Sequence, residues 1–386
     1  MTTHIIGPND PALDVLQAAI TKKPELDTHL TIIPWSDYRD ALMKTLTADQ
    51  APNQAVFIPG HVWLPELAAQ GLLAPVDNLM EDVPHVEIAA YNSADILPNV
   101  AAESRYLGKQ YLLPLFTDGH ILFYRSDLID IDGYENVPVI SHLDLHALAV
   151  RVHNPPDVYG IALKAHPSEI FLDWLPFLWA SGGDILDENQ QPALASEAGL
   201  QALEAYCNLR EFCPPATHQY GNAEIAEILR NGKAALTTTW GGQAAPIFLD
   251  TDNIFRQVYK SAVFPKPWNA TWGIALPVSQ PLLTHQKTLQ VLLKVTGPAQ
   301  DEEIIKVAGS PVRENTYSSQ AFEQYHWLAA QYQMLKTAGF LPLQPETDQY
   351  LGTLYESIYA AFTGELTPQD ALSQAQTMML TVLRKD

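Results

Sequence analysis

Cysteine, positive charge and long apolar runs are all scarce in this chain. Only Cys207 and Cys213 stand among 386 residues, too few for a disulfide framework. Six residues along a continuous helix rise roughly 9 Å, too far for a bridge, although a helix ending near Phe212, before Pro214-Pro215, would let the chain fold back. A bridge and two buried thiols both stay open. Lys plus Arg number 22 against 44 Asp plus Glu, a formal net charge of −22, which repels nucleic acid and anionic membrane surfaces. That acidity otherwise reads as solubility and says little about a ligand. No apolar stretch approaches the roughly 18 to 20 residues that span a bilayer, and Met1-Thr2-Thr3-His4-Ile5-Ile6 has no basic segment leading into a hydrophobic one.

Enzyme signatures are absent too. The sequence has no G-x-S-x-G elbow, no Walker loop, no G-x-G-x-x-G and no H-E-x-x-H, so no catalytic residue and no cofactor is expected. His142 and His146 are four apart on an expected helix and could face a metal together, but no third ligand is evident, and no metal site is expected. A carboxylate pair for glycoside hydrolysis stays open, because separation in space decides it and abundance of acids does not.

What is present is ample core material. Hydrophobic residues make up 47% and charged ones 17% of a chain longer than one core usually supports, which predicts a globular protein of two domains. Strands alternate with helices in the manner of an α/β protein with mostly parallel sheets. Strands are expected at 3–6, 29–33, 55–58, 159–163, 234–239 and 273–276. Helices are expected at 36–47, capped by Ser36, at 63–70, after Ser141, and at 196–212, with 80–105 as a loosely structured cover.

Residues 108–128 (GKQYLLPLFTDGHILFYRSDL) are the most informative stretch. Two apolar runs meet there, interrupted only by Thr117-Asp118-Gly119. A lone acid between buried strands is costly without a partner, so this is a crossing point at a surface where a polar ligand can arrive. The stretch resembles the first inter-lobe crossover of extracellular solute-binding proteins, the binding components of ABC importers, and is most similar to their maltose-binding-like branch. Three further stretches follow in the order of that family: 174–187, where an aromatic helix runs into Ser181-Gly182-Gly183-Asp184; 225–242, with Asn231-Gly232-Lys233 leading to Thr239-Trp240-Gly241-Gly242; and 360–371, around Phe362-Thr363-Gly364-Glu365.

The resemblance implies a two-lobed periplasmic-binding-protein-like fold, each lobe a mostly parallel sheet flanked by helices, with a ligand cleft at the hinge. Its N-terminal lobe would take residues 1–117 plus 268–311 and its C-terminal lobe 118–267 plus 312–386. It further implies a monomer outside the cytoplasm whose export signal has been removed, binding a carbohydrate (oligosaccharide or glycoside) and delivering it to an ABC permease, with no nucleic-acid partner. A polyamine, phosphate ester or metal chelate on the same fold, or an enzyme acting on sugars, are the alternatives.

In open α/β sheets ligands sit outside the carboxyl ends of strands, and that rule selects Trp35 after 29–33, His61 and Trp63 with Gly60 after 55–58, Thr117 and Asp118 after the first crossover strand, and Trp240 with Gly241 and Gly242 after 234–239. Trp272, beside an expected second crossover, joins them. So do Trp174, on an apolar helix face where a core role weighs more heavily, and Arg313, beside a third crossover, where pairing with an acid is an equal reading. Aromatic faces cover the C–H patches of a sugar and carboxylates accept from its hydroxyls.

Overall fold

In the computed structural model, which describes residues 2–131 and 137–384, the chain forms two compact units. The first takes the chain up to Asp118, Ala270–Ala321 and Leu343–Pro345; the second takes Gly119–Asn269, Phe322–Pro342 and the chain from Glu346 onward. In chain order the strands are β1 (Thr3–Pro8), β2 (Thr28–Ile33), β3 (Ala55–Pro59), β4 (Leu73–Ala74), β5 (Arg105–Tyr106), β6 (Lys109–Gln110), β7 (Leu113–Asp118), β8 (His120–Arg125), β9 (Tyr159–Ala162), β10 (Ala234–Trp240), β11 (Tyr259–Ala262) and β12 (Ala270–Pro277).

The sheet of the first unit runs β2-β1-β3-β12, with β4 and β7 sharing the far side of β12. β3, β7 and most of β1 are buried on both faces, which is why they read as unbroken apolar runs rather than alternating ones. The period of two survives in the packing. Ile5, Phe57, Leu113, Leu115, Ile274 and Leu276 enter one core with the helices Ala12–Thr21 and Leu282–Val295, while Ile6, Val56, Ile58, Leu112 and Ala275 enter another with Trp35–Leu46 and Gly60–Ala69. Edge strand β2 shows no such continuous burial.

The second unit has the order β11-β8-β10-β9, packed on a helix, Ile170–Ala180, buried along nearly its whole length. A helix apolar on every side is a central one.

The expected mostly parallel sheets are in fact mixed. β1 pairs parallel with β2 and β3, and β9 with β10, but β12 runs antiparallel to β3, β4 and β7, and β8 antiparallel to β10 and β11. Parallel pairing needs a crossover helix on each return, whereas β7, β8 and β12 are the strands that carry the chain from one unit to the other. Gly119 marks the passage: a Cβ there would lie 2.1 Å from the carbonyl oxygen of Trp268, so no larger residue fits.

Local signals fare unevenly. Ser141 and Ser196 cap helices, their hydroxyls accepting from the amides of Asp144 and Gly199 at 3.1 Å each. Ser36 does not: the helix begins one residue earlier, at Trp35, with Pro34 in the cap position. The expected loose cover, 80–105, contains the short helices His85–Tyr91 and Pro98–Glu103 and takes in the end of another, Asp77–Glu81. Cys207 and Cys213 are both free thiols, and burial pushes each up to about 12.

Residues 312–321, given to the second lobe by resemblance, lie in the first unit, and Arg313 shows why. It is buried, with Nη1 donating to Asp301 Oδ1 at 3.1 Å and Nη2 to the carbonyls of Thr296 (3.1 Å) and Tyr91 (3.3 Å), its guanidinium 4.9 Å from the Tyr91 ring. Burial lifts the Asp301 carboxyl to about 6 against the pull of Arg313. Arg313 is therefore a structural tie and not a ligand contact. Replacing Asp301 by Ala strands a buried cation and should cost about 3–5 kcal/mol, read as a lower urea midpoint, while ligand affinity of the folded protein stays unchanged.

Candidate functional site

The carboxyl ends of β1, β2 and β3 lie at one edge of the first sheet, and register brings the start of β12 and the end of β7 to the same edge: Trp272 stands opposite Pro59, and Ala270 opposite Asp118. Trp35 opens one helix there, after Pro34, and His61 is the second residue of another, Gly60–Ala69, after Pro59. Trp272 stacks on Phe116 with centroids 5.8 Å apart and planes 5° from parallel, and on Phe57 at 6.0 Å. Against its edge stands Trp35 at 5.6 Å, which also meets Trp63 at 6.2 Å. Trp63 in turn stacks with Tyr38 and carries Arg39 4.7 Å over its ring, the guanidinium paired with Glu66. Trp35 remains 41% exposed and Trp63 and Trp272 are half-buried, so the cluster presents aromatic surface to solvent at this edge.

His61 is buried, 5.6 Å from Trp272, and desolvation drives it down to about 3 despite a hydrogen bond to the Thr271 backbone. It is neutral, and its Nδ1 has no hydrogen-bond partner among the described residues. Asp118 and Thr117 are buried at the end of β7, Thr117 Oγ1 donating to the Ala270 carbonyl at 3.1 Å. Gly60 serves packing: a Cβ there would lie 2.6 Å from Leu112 Cδ1 and 3.0 Å from the carbonyls of Glu103 and Thr271.

In the second unit Trp240 closes β10, with His120 of β8 as its register partner, and Lys164 follows β9, which runs parallel to β10. Trp240 Nε1 donates to Glu169 Oε2 at 3.0 Å, and the same oxygen lies 3.2 Å from Lys164 Nζ, itself 5.2 Å over the Trp240 ring. Trp268 and His120 stand nearly perpendicular to that ring at 4.9 and 5.3 Å. Beneath lies Asp173, fully buried, accepting from Tyr206 Oη (2.9 Å), the Lys164 amide (3.0 Å) and Thr238 Oγ1, with His120 Nδ1 at 3.0 Å. Burial pushes the Asp173 carboxyl up, but these bonds, His120's foremost, outweigh it and hold it below the usual range. Burial lowers His120 in spite of Asp173, so the neutral ring donates from Nδ1 to an ionised carboxylate.

Gly241 and Gly242 form a turn tied to the passage by Gly241 N donating to Gly119 O at 2.9 Å. Trp174 is fully buried within the central helix beside Phe171; it belongs to the core and is withdrawn as a contact, because that helix has no solvent face to present it on. His142 and His146 pack against Phe177 and Phe212, and among the described residues no group of three or more His, Cys, Asp or Glu could hold a metal.

Sequence reasoning missed Lys164, Glu169, His120 and Trp268. Lys164 could have been found, since it follows a strand just as Trp240 does. Asp10, after β1, was overlooked in the same way; it accepts from the Ala12 amide at 2.9 Å, and burial raises its carboxyl.

The model of the bacterial extracellular solute-binding protein family matches residues 8–281. The chain belongs to this family. Its members are binding proteins and not enzymes. Among curated relatives it is similar to a mannitol-binding protein of Pseudomonas aeruginosa, 25% identical over 375 residues, covering 87% of this chain and 83% of that one. Among solved structures it is similar to maltose-bound MalE3 of T. maritima (TM-score 0.82, 17% identity, 98% and 99% of the two chains). A solute-binding protein of Agrobacterium radiobacter K84 in complex with ribitol gives a TM-score of 0.83 at 21% identity over 98% and 97%. The fold is thus the two-lobed α/β fold of periplasmic binding proteins. Among the described residues no helix is long and apolar enough to cross a membrane.

The neutral state of His61 has a consequence for acid stability. Unfolded, the ring takes a proton below about 6.5; folded, it resists until about 3. Its contribution to stability is complete above the ordinary value and is lost as pH falls toward the lowered one, by about 2 kcal/mol between pH 6.5 and 5. Urea unfolding at pH 7 and pH 5 should show His61→Asn losing less stability than the parent; equal losses would contradict the burial argument.

Proposed function

We propose that this protein captures a carbohydrate, a neutral saccharide or sugar alcohol, outside the cytoplasm as a monomer and delivers it to an ABC-type permease. The observation that carries the reading is the exposed Trp35, nearly perpendicular to Trp272 and Trp63 at the carboxyl edge of the first sheet, with the carboxylates Asp10 just after β1 and Asp118 at the end of β7. The second unit adds Trp240 at the end of β10. Aromatic contacts contribute about 0.5–1.5 kcal/mol each beyond area burial, and hydrogen bonds to charged acceptors about 1.5–3 kcal/mol. A handful reaches the roughly −8 kcal/mol of micromolar binding. The mannitol, maltose and ribitol named for similar proteins fit this chemistry.

Each indole that meets the ligand adds its own share to the affinity, so loss of either should weaken binding. Trp35→Ala and Trp240→Ala are each expected to lower affinity for maltose, mannitol or ribitol at least about tenfold, or about 1.4 kcal/mol, by titration calorimetry, with little change in melting temperature. Unaltered affinity removes the residue from the site. Sugar recovered intact after prolonged incubation fits a binder, whereas released product would make the protein an enzyme.

A further inference from the structure

Trp240 is held by more contacts than packing alone requires. The β10 backbone fixes its Cα, Glu169 Oε2 takes its indole N–H at 3.0 Å, and Lys164 Nζ lies 5.2 Å over its ring while pairing with that same oxygen at 3.2 Å. Lys164 is fully buried and Trp240 only partly so. A desolvated ammonium acts strongly on the π-system it covers, since little water screens it. The carboxylate bonds the N–H edge of the indole, so it is the positive member of the pair that lies over the ring. Trp268 and His120 stand nearly perpendicular to the indole, with centroids at 4.9 and 5.3 Å.

We propose that the buried Lys164–Glu169 pair is a positioning and specificity device for Trp240: it fixes the indole and covers it with a protein cation, so that the exposed part accepts the C–H surface of a neutral sugar or sugar alcohol and disfavours a cationic solute. This rests on the carbohydrate reading above and narrows its ligand class. A cation brought to the ring meets electron density already drawn toward Lys164, so the ring has less to offer it even though Glu169 offsets the ammonium's own charge. Neutral C–H groups meet no such opposition. Neither residue need touch the ligand; both act through the tryptophan.

Titration calorimetry of the full chain with maltose, mannitol and ribitol, against glucosamine and spermidine, tests it. The parent should bind at least one neutral probe and bind both cationic probes at least about tenfold more weakly. The charge-neutral double variant Lys164→Met/Glu169→Gln should lose at least about fivefold for the neutral probe and most of the discrimination, with a shifted tryptophan emission. Lys164→Arg, which keeps the cation over the ring and the ion pair, should restore discrimination relative to that variant. Equal parental affinity for either cationic probe overturns the proposal, as does discrimination unchanged in the double variant. Should that variant fail to fold, the parent's own discrimination and that of Lys164→Arg decide. Neutral binding with unchanged discrimination rejects the clamp alone; no neutral binding to the parent rejects the carbohydrate reading and the clamp together.

Discussion

The pairing of β7 with β12 is the constraint on which the rest depends. One strand brings the chain to the edge of the first unit at Asp118, the other brings it back at Ala270, and the two are register partners there. Thr117 secures that end twice: its hydroxyl donates to the Ala270 carbonyl at 3.1 Å, and its backbone exchanges hydrogen bonds with Ser310 at 2.7 and 3.1 Å. Immediately beyond, Gly119 lies so close to the Trp268 carbonyl that a Cβ would sit at 2.1 Å. A chain that leaves along one strand and returns along its partner pairs the two antiparallel, which puts antiparallel pairs into a sheet that also holds parallel ones. It also brings Asp118 and Trp272 to the edge that Trp35 and His61 reach from parallel strands.

Much of this was legible in the sequence, because the parallel strands β1 and β3 are buried on both faces and so appear as apolar runs closed by proline and glycine. The rule that loops after strands bear ligands needed only strand ends, and it selected Trp35, His61, Trp63, Asp118 and Trp240, which the structure places at or just after the ends of β2, β3, β7 and β10. Failures came where a side chain's meaning depends on residues distant in sequence. In sequence Arg313 reads equally as a ligand contact or as the partner of an acid, and nothing local marks Asp301 as that acid, yet their pairing buries both almost completely. Trp174 lies on an apolar helix face that already favours a core role, and the burial of that helix along nearly its whole length decides the matter. Lys164 and Glu169 carry no local signal of their ion pair, since what joins them is a tryptophan about seventy residues away in a neighbouring strand.

Both sets of aromatic residues are arranged around neutral or neutralised groups. His61 and His120 are held in the neutral form by burial. Arg39 over Trp63 is matched by Glu66, and Lys164 over Trp240 by Glu169. The rings themselves carry no charge, so the dominant forces available to a ligand at these surfaces are apolar contact and directed hydrogen bonds.

A formal charge of −22 does not select a cationic solute, because charge counted over a whole chain acts at long range and is screened within about 8–10 Å at ordinary ionic strength. At Trp240 the nearest charges are a fully buried ammonium and the carboxylate 3.2 Å from it. Burying such a pair is seldom a gain in stability over apolar residues of the same size, so its presence is better explained by what it does to the indole it touches. The acidity of the surface then governs solubility and encounter, while selection among solutes is left to the local pair and the ring between it and the solvent.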